Sequence, residues 1–159
     1  MKTTVRLCVE SGLSPGREIV LSREQGHYIA NVMRLAPGDS LRVFNGSDGE
    51  YLAYLTQAKK SHVAIRCEKQ VADAAPPPDI DFIFAPLKHA RLDYVVQKAV
   101  ELGARRLRPV ITERTIATRV NLERMRANAI EAAEQCNLVH VPEVMEPEAL
   151  DQVIAAWDY

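Results

Sequence analysis

The stretch from Pro86 to Thr115 constrains the fold of this chain most strongly. Its apolar side chains recur at helical spacing, so one side of a helix can pack against a core; they are Leu92, Val95, Val96, Ala99 and Leu102. A short apolar strand, Ile80 to Ala85, precedes the helix, and a buried strand, Leu107 to Ile111, follows the left-handed stop at Gly103. This order predicts a βαβ unit in a parallel sheet.

Polar side chains follow both strands of this unit. Lys88 and Arg91 come after the first strand, and Glu113 and Arg114 come after the second. Because ligands of parallel sheets collect outside the carboxyl ends of the strands, both loops lie where a ligand is expected. The helix itself adds a polar stripe that comprises Arg91, Tyr94, Lys98 and Glu101, with Gln97 further round.

Basic residues are concentrated in this region. Residues 88–119 hold eight basic and three acidic side chains, a local charge of +5 in a chain of 159 residues whose net charge is -1. The whole chain therefore lacks the global positive charge that is typical of many nucleic-acid-binding proteins. The local excess fits either an anion-binding surface or an ordinary solvated face.

A further helix is predicted to begin at Asn121, a good N-cap residue. Its packing stripe comprises Leu122, Met125, Ala129, Ala132, Ala133 and Cys136. A polar stripe on another face comprises Arg124, Asn128, Glu131 and Gln135, and it is either functional or a solvated surface. Val139 to Val144 is predicted as the next strand, and Pro147 as the start of a last helix.

The N-terminal region is dominated by short strands, predicted at Thr3–Glu10, Arg17–Leu21, Ser40–Phe44, Tyr51–Thr56 and His62–Cys67. Ser22 with Gln25 forms a capping box that opens one helix. The predicted core face of that helix is Ile29, Val32 and Met33. Short strands in this number predict a small antiparallel barrel, because closing the sheet removes its exposed edges. The Pro- and Ala-rich residues 71–79 are the predicted boundary between domains 1–70 and 80–159.

The usual local motifs for a function are missing from the sequence. It contains no G-x-G-x-x-G, Walker-type, G-x-S-x-G, H-E-x-x-H or C-x-x-C pattern. Its three cysteines are widely spaced, and its four histidines have no paired spacing, so neither a disulfide framework nor a metal site is indicated. No apolar run approaches the roughly 18 residues of a membrane span, which favours a cytoplasmic protein.

Three ordered groups of residues carry a resemblance to a known family. They are Lys88, Arg91, Asp93, Gln97, Lys98, Glu101, Leu102 and Gly103; then Pro109, Glu113 and Arg114; then Glu131, Ala132, Glu134 and Gln135. The N-terminal region adds Arg6, His27, Val32-Met33-Arg34 and Gly38-Asp39. With these residues the chain resembles the bacterial 16S ribosomal RNA uridine N3-methyltransferases of the knotted SPOUT superfamily.

The resemblance implies an α+β fold with two domains. A PUA-like antiparallel β-barrel that binds RNA would occupy residues 1–70, and residues 80–159 would form the first part of an α/β SPOUT methyltransferase domain with a parallel sheet. The implied activity is S-adenosylmethionine-dependent methylation of a uridine at N3 in 16S rRNA of the small ribosomal subunit, by a protein whose full-length form is a homodimer. The alternative is a non-catalytic RNA-binding module. An unrelated nucleotide-cofactor enzyme is disfavoured, because no phosphate-cradling glycine loop follows any predicted strand.

The cofactor site implied by the resemblance is the glycine-rich segment of a C-terminal knot. That segment is expected beyond Tyr159, so no cofactor-binding residue is expected within these 159 residues and the chain alone is expected to be inactive. In addition, Cys136-Asn137-Leu138 stands where the family usually carries a small residue and an arginine.

Site residues follow from the chemistry. N3 of uridine carries a proton on the Watson–Crick edge, so the base must be unpaired to react. The predicted RNA-binding residues, suited to phosphate contacts, are Arg6, His27, Arg34, Lys88, Arg91, Lys98 and Arg114. His27 is alternatively a surface or capping histidine. The catalytic candidates are Gln97, Glu101, Glu131 and Gln135, which either orient the catalytic region, hydrogen-bond the base, or hold basic side chains by ion pairs; none is assigned as a general base.

Overall fold

A computed structural model of the chain describes residues 5–59, 62–88, 90–116 and 119–157. It contains two compact units, residues 1–76 and 77–159. Each unit has its own sheet, antiparallel for the most part in the first and parallel in the second. The predicted α+β fold class with two different sheets is confirmed.

The first unit is a five-stranded sheet with one helical segment. Its strands are β1 (Arg6–Cys8), β2 (Glu18–Val20), β3 (Ser40–Phe44), β4 (Glu50–Lys59) and β5 (His62–Ala72), in the order β1-β3-β4-β5-β2. One feature of the predicted antiparallel barrel is wrong, since β1 runs parallel to β3. Because β1 and β3 are parallel, the segment between them, which includes β2 and the helix, brings the chain back to the end of the sheet at which β1 began. Residues 3 and 4 of the predicted first strand lie outside the described residues, and β5 includes the first two residues of the predicted linker.

The helical segment of the first unit changes its geometry midway. The α-helix α1 (Arg23–His27) starts at the predicted capping box, in which Ser22 Oγ accepts from Gln25 N at 3.1 Å. It then widens into a π-helical turn, Tyr28–Val32, where Met33 N donates to Tyr28 O at 2.9 Å. The predicted core face is therefore only partly right. Ile29 is fully buried, whereas Val32 is 58% exposed and Met33 is 36% exposed.

The second unit contains the predicted βαβ unit. Its elements are β6 (Asp81–Phe84), α2 (Ala90–Glu101), β7 (Arg106–Ile111), α3 (Leu122–Gln135), β8 (Glu143–Val144), β9 (Glu148–Ala149) and α4 (Leu150–Ala155). β6, β7 and β8 are parallel neighbours, and β9 also pairs with β7 in parallel. The predicted helix start at Pro147 is wrong, because residues 148 and 149 pair with Val110 and Ile111 before α4 begins at Leu150.

Helices α2 and α3 bury the apolar stripes that position the rest of their surfaces. The buried residues are Val96, Ala99 and Val100 in α2, and Met125, Ala129, Ala132 and Ala133 in α3. Asn121 caps α3 as predicted, its Oδ1 accepting from Arg124 N at 3.0 Å. Leu102, predicted to be core, is 82% exposed. The chain leaves the helix after Glu101 through the left-handed Gly103, with φ of 85°, which turns Leu102 toward solvent.

Candidate functional site

A groove lies between α2 and α3 and has a volume of about 360 Å³. It is lined by Ala90, Asp93, Tyr94, Gln97, Asn128, Glu131, Ala132 and Gln135. Three of the four catalytic candidates, Gln97, Glu131 and Gln135, line it together. The two polar stripes of the sequence thus face each other across one concave surface.

Asp93 fixes α2 against α3 at one end of this groove. Its carboxylate accepts from Arg124 Nε at 3.0 Å, from a second guanidinium nitrogen of Arg124, and from Asn128 Nδ2 at 2.7 Å. These hydrogen bonds raise the pKa of the Arg124 guanidinium, because the Asp93 carboxylate favours its charged form. Asp93 was not among the predicted site residues. The signal that could have found it is the Arg124 and Asn128 stripe of α3, which needed an acidic partner on another element.

The rest of the groove is lined by side chains whose hydrogen-bonding groups are mostly not used within the described residues. Gln135 Nε2 lies 3.4 Å from Glu131 Oε1, a long contact between residues four apart on α3. Gln97 faces them from α2, and its side chain bonds to none of the described residues. Two amides and one carboxylate are therefore available to a ligand, where the amides can donate and the carboxylate can accept.

Lys98 and Glu101 pair with each other on α2. Lys98 Nζ lies 2.6 Å from Glu101 Oε2 and 5.6 Å from the centre of the Tyr94 ring. The hydrogen bond to Glu101 raises the pKa of the Lys98 ammonium, so this side chain keeps its positive charge at neutral pH. Of the two readings of Glu101, the geometry favours the one in which it holds a basic side chain.

The other predicted cations of this unit stand in the loops after β6 and β7. Lys88 and Arg91 are exposed before and in the first turn of α2, and Arg114 is exposed in the turn after β7. That turn is closed by Thr112 N, which donates to Thr115 Oγ1 at 2.8 Å. Because β6 and β7 are parallel neighbours, their carboxyl ends share one edge of the sheet, as a ligand site there requires.

Arg6 occupies the interior of the first unit. Its Nε donates to Glu50 Oε1 at 2.7 Å, both side chains are 5% exposed, and the guanidinium lies 4.7 Å from the centre of the Phe44 ring. A side chain held in this way cannot reach a phosphate in solvent. The predicted RNA contact by Arg6 is therefore replaced by a structural role in the sheet.

His27 and Arg34 are exposed at the two ends of the π-helical turn. The seven-residue spacing that would put them on one side of an α-helix does not apply, because the π-helical turn holds more residues. His27 Nδ1 lies 3.0 Å from Asn31 Nδ2. Arg34 adopts a left-handed backbone with φ of 55°, which is unusual for arginine and often marks a functional position.

One charged cluster in the second unit was not predicted. The carboxylate of Asp81, only 4% exposed, receives Arg105 Nη2 at 3.3 Å, Arg106 Nε at 2.9 Å and Arg108 Nε at 2.7 Å. Burial would raise the pKa of this carboxyl, but the three guanidiniums outweigh burial and lower it. The cluster joins β6 to β7 at their amino ends, away from the loops described above. The run Arg105-Arg106-Leu107-Arg108 was visible in the sequence, but its shared acidic partner was not.

Two negative findings concern the described residues. None of their helices is long and apolar enough to cross a membrane. No group of three or more His, Cys, Asp or Glu side chains among them is placed to hold a metal ion.

Comparison with known protein families gives matches for both units. The family model of the RNA methyltransferase domain matches residues 75–159, and that of the RNA methyltransferase PUA domain matches residues 21–67. Ribosomal RNA small subunit methyltransferase E of Rickettsia conorii is 30% identical over 155 residues, which cover 97% of this chain and 61% of that protein. The protein of the same name from Bacillus subtilis is 28% identical over 141 residues, covering 84% of this chain and 55% of that protein. The chain thus spans about three fifths of the length of these relatives.

Solved structures match over nearly the whole chain. A putative methyltransferase from Legionella pneumophila, in complex with the bound cofactor SAM, has a TM-score of 0.88 and 28% identity. Ribosomal RNA small subunit methyltransferase E from Neisseria gonorrhoeae, bound to S-adenosyl methionine, has a TM-score of 0.88 and 26% identity. Each match covers 98% of this chain, together with 67% and 66% of the respective structures.

Proposed function

The chain belongs to the RNA methyltransferase domain family, whose model matches more than half of it, and on this premise we propose that the protein methylates N3 of an unpaired uridine in 16S rRNA with S-adenosylmethionine as donor. The observation that carries the proposal is the likeness, at a TM-score of 0.88 over 98% of the chain, to two structures solved with that donor bound. The small ribosomal subunit in the names of the curated relatives supports the choice of substrate. The protein would act in the cytoplasm as a homodimer, as the resemblance implies.

The exposed basic side chains are the proposed RNA contacts. Arg34 and His27 serve in the first unit, and Lys88, Arg91 and Arg114 serve at the carboxyl edge of the second. Such contacts to phosphates fix the register of the RNA and add affinity without reading its sequence. Lys98 contributes less, because Glu101 offsets its charge. Arg6 is withdrawn from this set, since it is buried against Glu50.

The described residues do not fit the methyl donor. Gly103 is the single glycine in residues 77–159, and it ends α2 with a positive φ instead of opening a loop around a nucleotide. The groove between α2 and α3 offers amide and carboxylate side chains, and the part of the unit that the structure describes has no glycine-rich turn after a strand. We therefore propose that this chain alone transfers no methyl group.

The chemical task that remains for these residues is to hold the base. Methylation at N3 needs an unpaired uridine whose Watson–Crick edge is presented in a fixed pose, and positioning supplies much of the acceleration in such reactions. Gln97, Glu131 and Gln135 are the candidates for this role, because they meet in one groove. Glu101 is proposed instead as the residue that positions Lys98.

The test is methyl transfer by protein expressed from its complete reading frame. Isolated small ribosomal subunits that lack N3-methyluridine are incubated with S-adenosylmethionine carrying a labelled methyl group, and large subunits serve as the control. We expect label in 16S rRNA of the small subunit only, at a position where reverse transcription stops. Arg91→Ala and Arg114→Ala should each reduce transfer, whereas Arg126→Ala, an exposed arginine outside the site, should not. Binding of small subunits without any transfer would contradict the proposal and favour the non-catalytic RNA-binding module.

A further inference from the structure

We propose that the groove between α2 and α3 seats the Watson–Crick edge of an unpaired uracil and rejects cytosine, with Glu131 as the residue that reads N3–H. This inference rests on the proposed function and assigns the base to a particular site. Its occupant is one nucleoside of an RNA strand. The groove, at about 360 Å³, lies within the range of about 300 to 1,000 Å³ that is typical of small-ligand sites.

The hydrogen-bonding groups of the groove divide into two sets. At one end the carboxylate of Asp93 is fully engaged by Arg124 and Asn128. Beyond it stand Gln97, Glu131 and Gln135, whose side chains make one long hydrogen bond within the described residues, from Gln135 to Glu131 at 3.4 Å. Ordering these three side chains around a ligand therefore breaks almost no existing hydrogen bond.

This second set complements uracil. The Watson–Crick edge of uracil presents the acceptors O2 and O4 on either side of the donor N3–H. Two amides that donate, Gln97 and Gln135, and one carboxylate that accepts, Glu131, match this pattern. Cytosine presents an acceptor at N3, which would face the carboxylate of Glu131, so the wrong base leaves a charged acceptor without a donor.

The surroundings of the groove suit a nucleotide as well. The link from Asp93 to Arg124 and Asn128 joins α2 to α3, so the two helices hold their polar side chains at a fixed separation. Arg124 is largely exposed beside Asp93, and Arg91 is exposed next to Ala90 at the same end. Both cations can meet a phosphate that stays in solvent while the base enters the groove.

The experiment measures binding of this chain to three hairpin RNAs by fluorescence anisotropy. The hairpins differ only in one unpaired loop nucleotide, which is uridine, cytidine or N3-methyluridine. We expect the uridine hairpin to bind at least about tenfold more tightly than the other two, as expected for one well-placed base contact. Equal binding of uridine and N3-methyluridine hairpins would overturn the proposal, because the N3–H contact would then contribute nothing.

Glu131→Gln tests the assignment of the acceptor. The amide of glutamine can donate to N3 of cytosine, so the preference for uridine over cytidine should fall to about twofold or less. Glu123→Gln makes the same chemical change on an exposed position of α3 outside the groove, and it should keep the preference. Gln97→Glu is the second variant; it places an acceptor opposite a uracil oxygen and should weaken the uridine hairpin about tenfold. Preference for uridine retained in Glu131→Gln, or unchanged affinity of Gln97→Glu for the uridine hairpin, would overturn the inference.

The outcome is separable from that of the proposed function. If the protein methylates 16S rRNA while Glu131→Gln keeps its preference for uridine, the proposed function is supported and the assignment of uracil to this groove is wrong. If no transfer occurs but the uridine preference of the chain disappears in Glu131→Gln, the assignment of uracil to the groove is supported and the proposed function is wrong. Failure of the unsubstituted chain to bind any of the hairpins would overturn the proposal that this groove binds uracil.

Discussion

Arg6 Nε donates to Glu50 Oε1 at 2.7 Å, and both side chains are buried within the first unit. The pair connects β1 to the start of β4, two strands that lie on either side of β3. A further guanidinium, that of Arg42, lies 3.8 Å from the other carboxylate oxygen but is 44% exposed. The buried charge of Glu50 therefore depends chiefly on Arg6.

Arg6→Ala should destabilise the chain strongly. Removing one partner of a buried ion pair leaves an uncompensated charge and costs about 3 to 5 kcal/mol in the free energy of unfolding. Arg66→Ala is the matched control, because the Arg66–Glu18 pair is exposed and its loss should cost no more than about 1 kcal/mol. Urea unfolding followed by circular dichroism measures both. A loss in Arg6→Ala no larger than that in Arg66→Ala would contradict the structural role assigned to Arg6.

Arg34→Gly should separate stability from RNA binding. Glycine adopts the left-handed backbone of this position without strain, so the free energy of unfolding should rise by about 1 kcal/mol. Loss of a phosphate contact should at the same time weaken RNA binding and reduce the slope of its salt dependence by about 1. Asn137→Gly, at the other non-glycine residue of positive φ, is the control. It should leave RNA affinity unchanged. Unaltered affinity in Arg34→Gly would remove Arg34 from the RNA contacts.

His140 should make the chain less stable in mild acid. Burial lowers the pKa of this histidine below its usual 6.5, and its Nε2 has no hydrogen-bond partner among the described residues. The unfolded chain then binds the proton more readily than the folded chain. The contribution to stability is complete above pH 6.5 and is lost as the pH falls from there through the folded pKa.

The measurement is the free energy of unfolding against pH for the unsubstituted chain and for His140→Gln. His140→Gln should flatten the decline below pH 6.5. Parallel curves for the unsubstituted chain and His140→Gln would show that burial of this imidazole has no effect on stability.

Calorimetric titration of S-adenosylmethionine into this chain should give no saturable heat. The reason is the lack of fit between the donor and the described residues of the second unit, where the single glycine ends a helix. Protein from the complete reading frame is the comparison, and it should bind. Saturable binding to the chain of 159 residues would mean that its own side chains form the donor site.

Local signals in the sequence predicted much of the fold. The capping box at Ser22, the N-cap at Asn121 and the left-handed Gly103 all act through residues within a few positions of each other, and the structure contains all three. The βαβ unit was equally readable, because its helix and strands have distinct periodicities. Pairing between distant segments was not readable in this way. The parallel partner of β1 and the short β9 depend on which strands meet, and a local pattern does not encode that.

The candidate site was predicted in part. The polar stripes of α2 and α3 named Gln97, Glu131 and Gln135, which do line one groove, because helical spacing assigns residues to faces. The roles of charged side chains depended on partners far away in the sequence. Arg6 pairs with Glu50, which lies 44 positions later in the sequence, and Asp93 pairs with Arg124, which lies 31 positions later. The π-helical turn also exposed Val32 and Met33 against a pattern that an α-helix would have buried.

The most direct test of the central claim is made in cells. The gene that carries this sequence is deleted from its source organism, and the nucleosides of 16S rRNA are compared with those of the parent strain by mass spectrometry, with position mapped by reverse transcription. The proposed function predicts that one N3-methyluridine disappears from the small-subunit RNA and returns when the gene is restored. An unchanged content of N3-methyluridine in the deleted strain would contradict the claim that this protein methylates uridine in 16S rRNA.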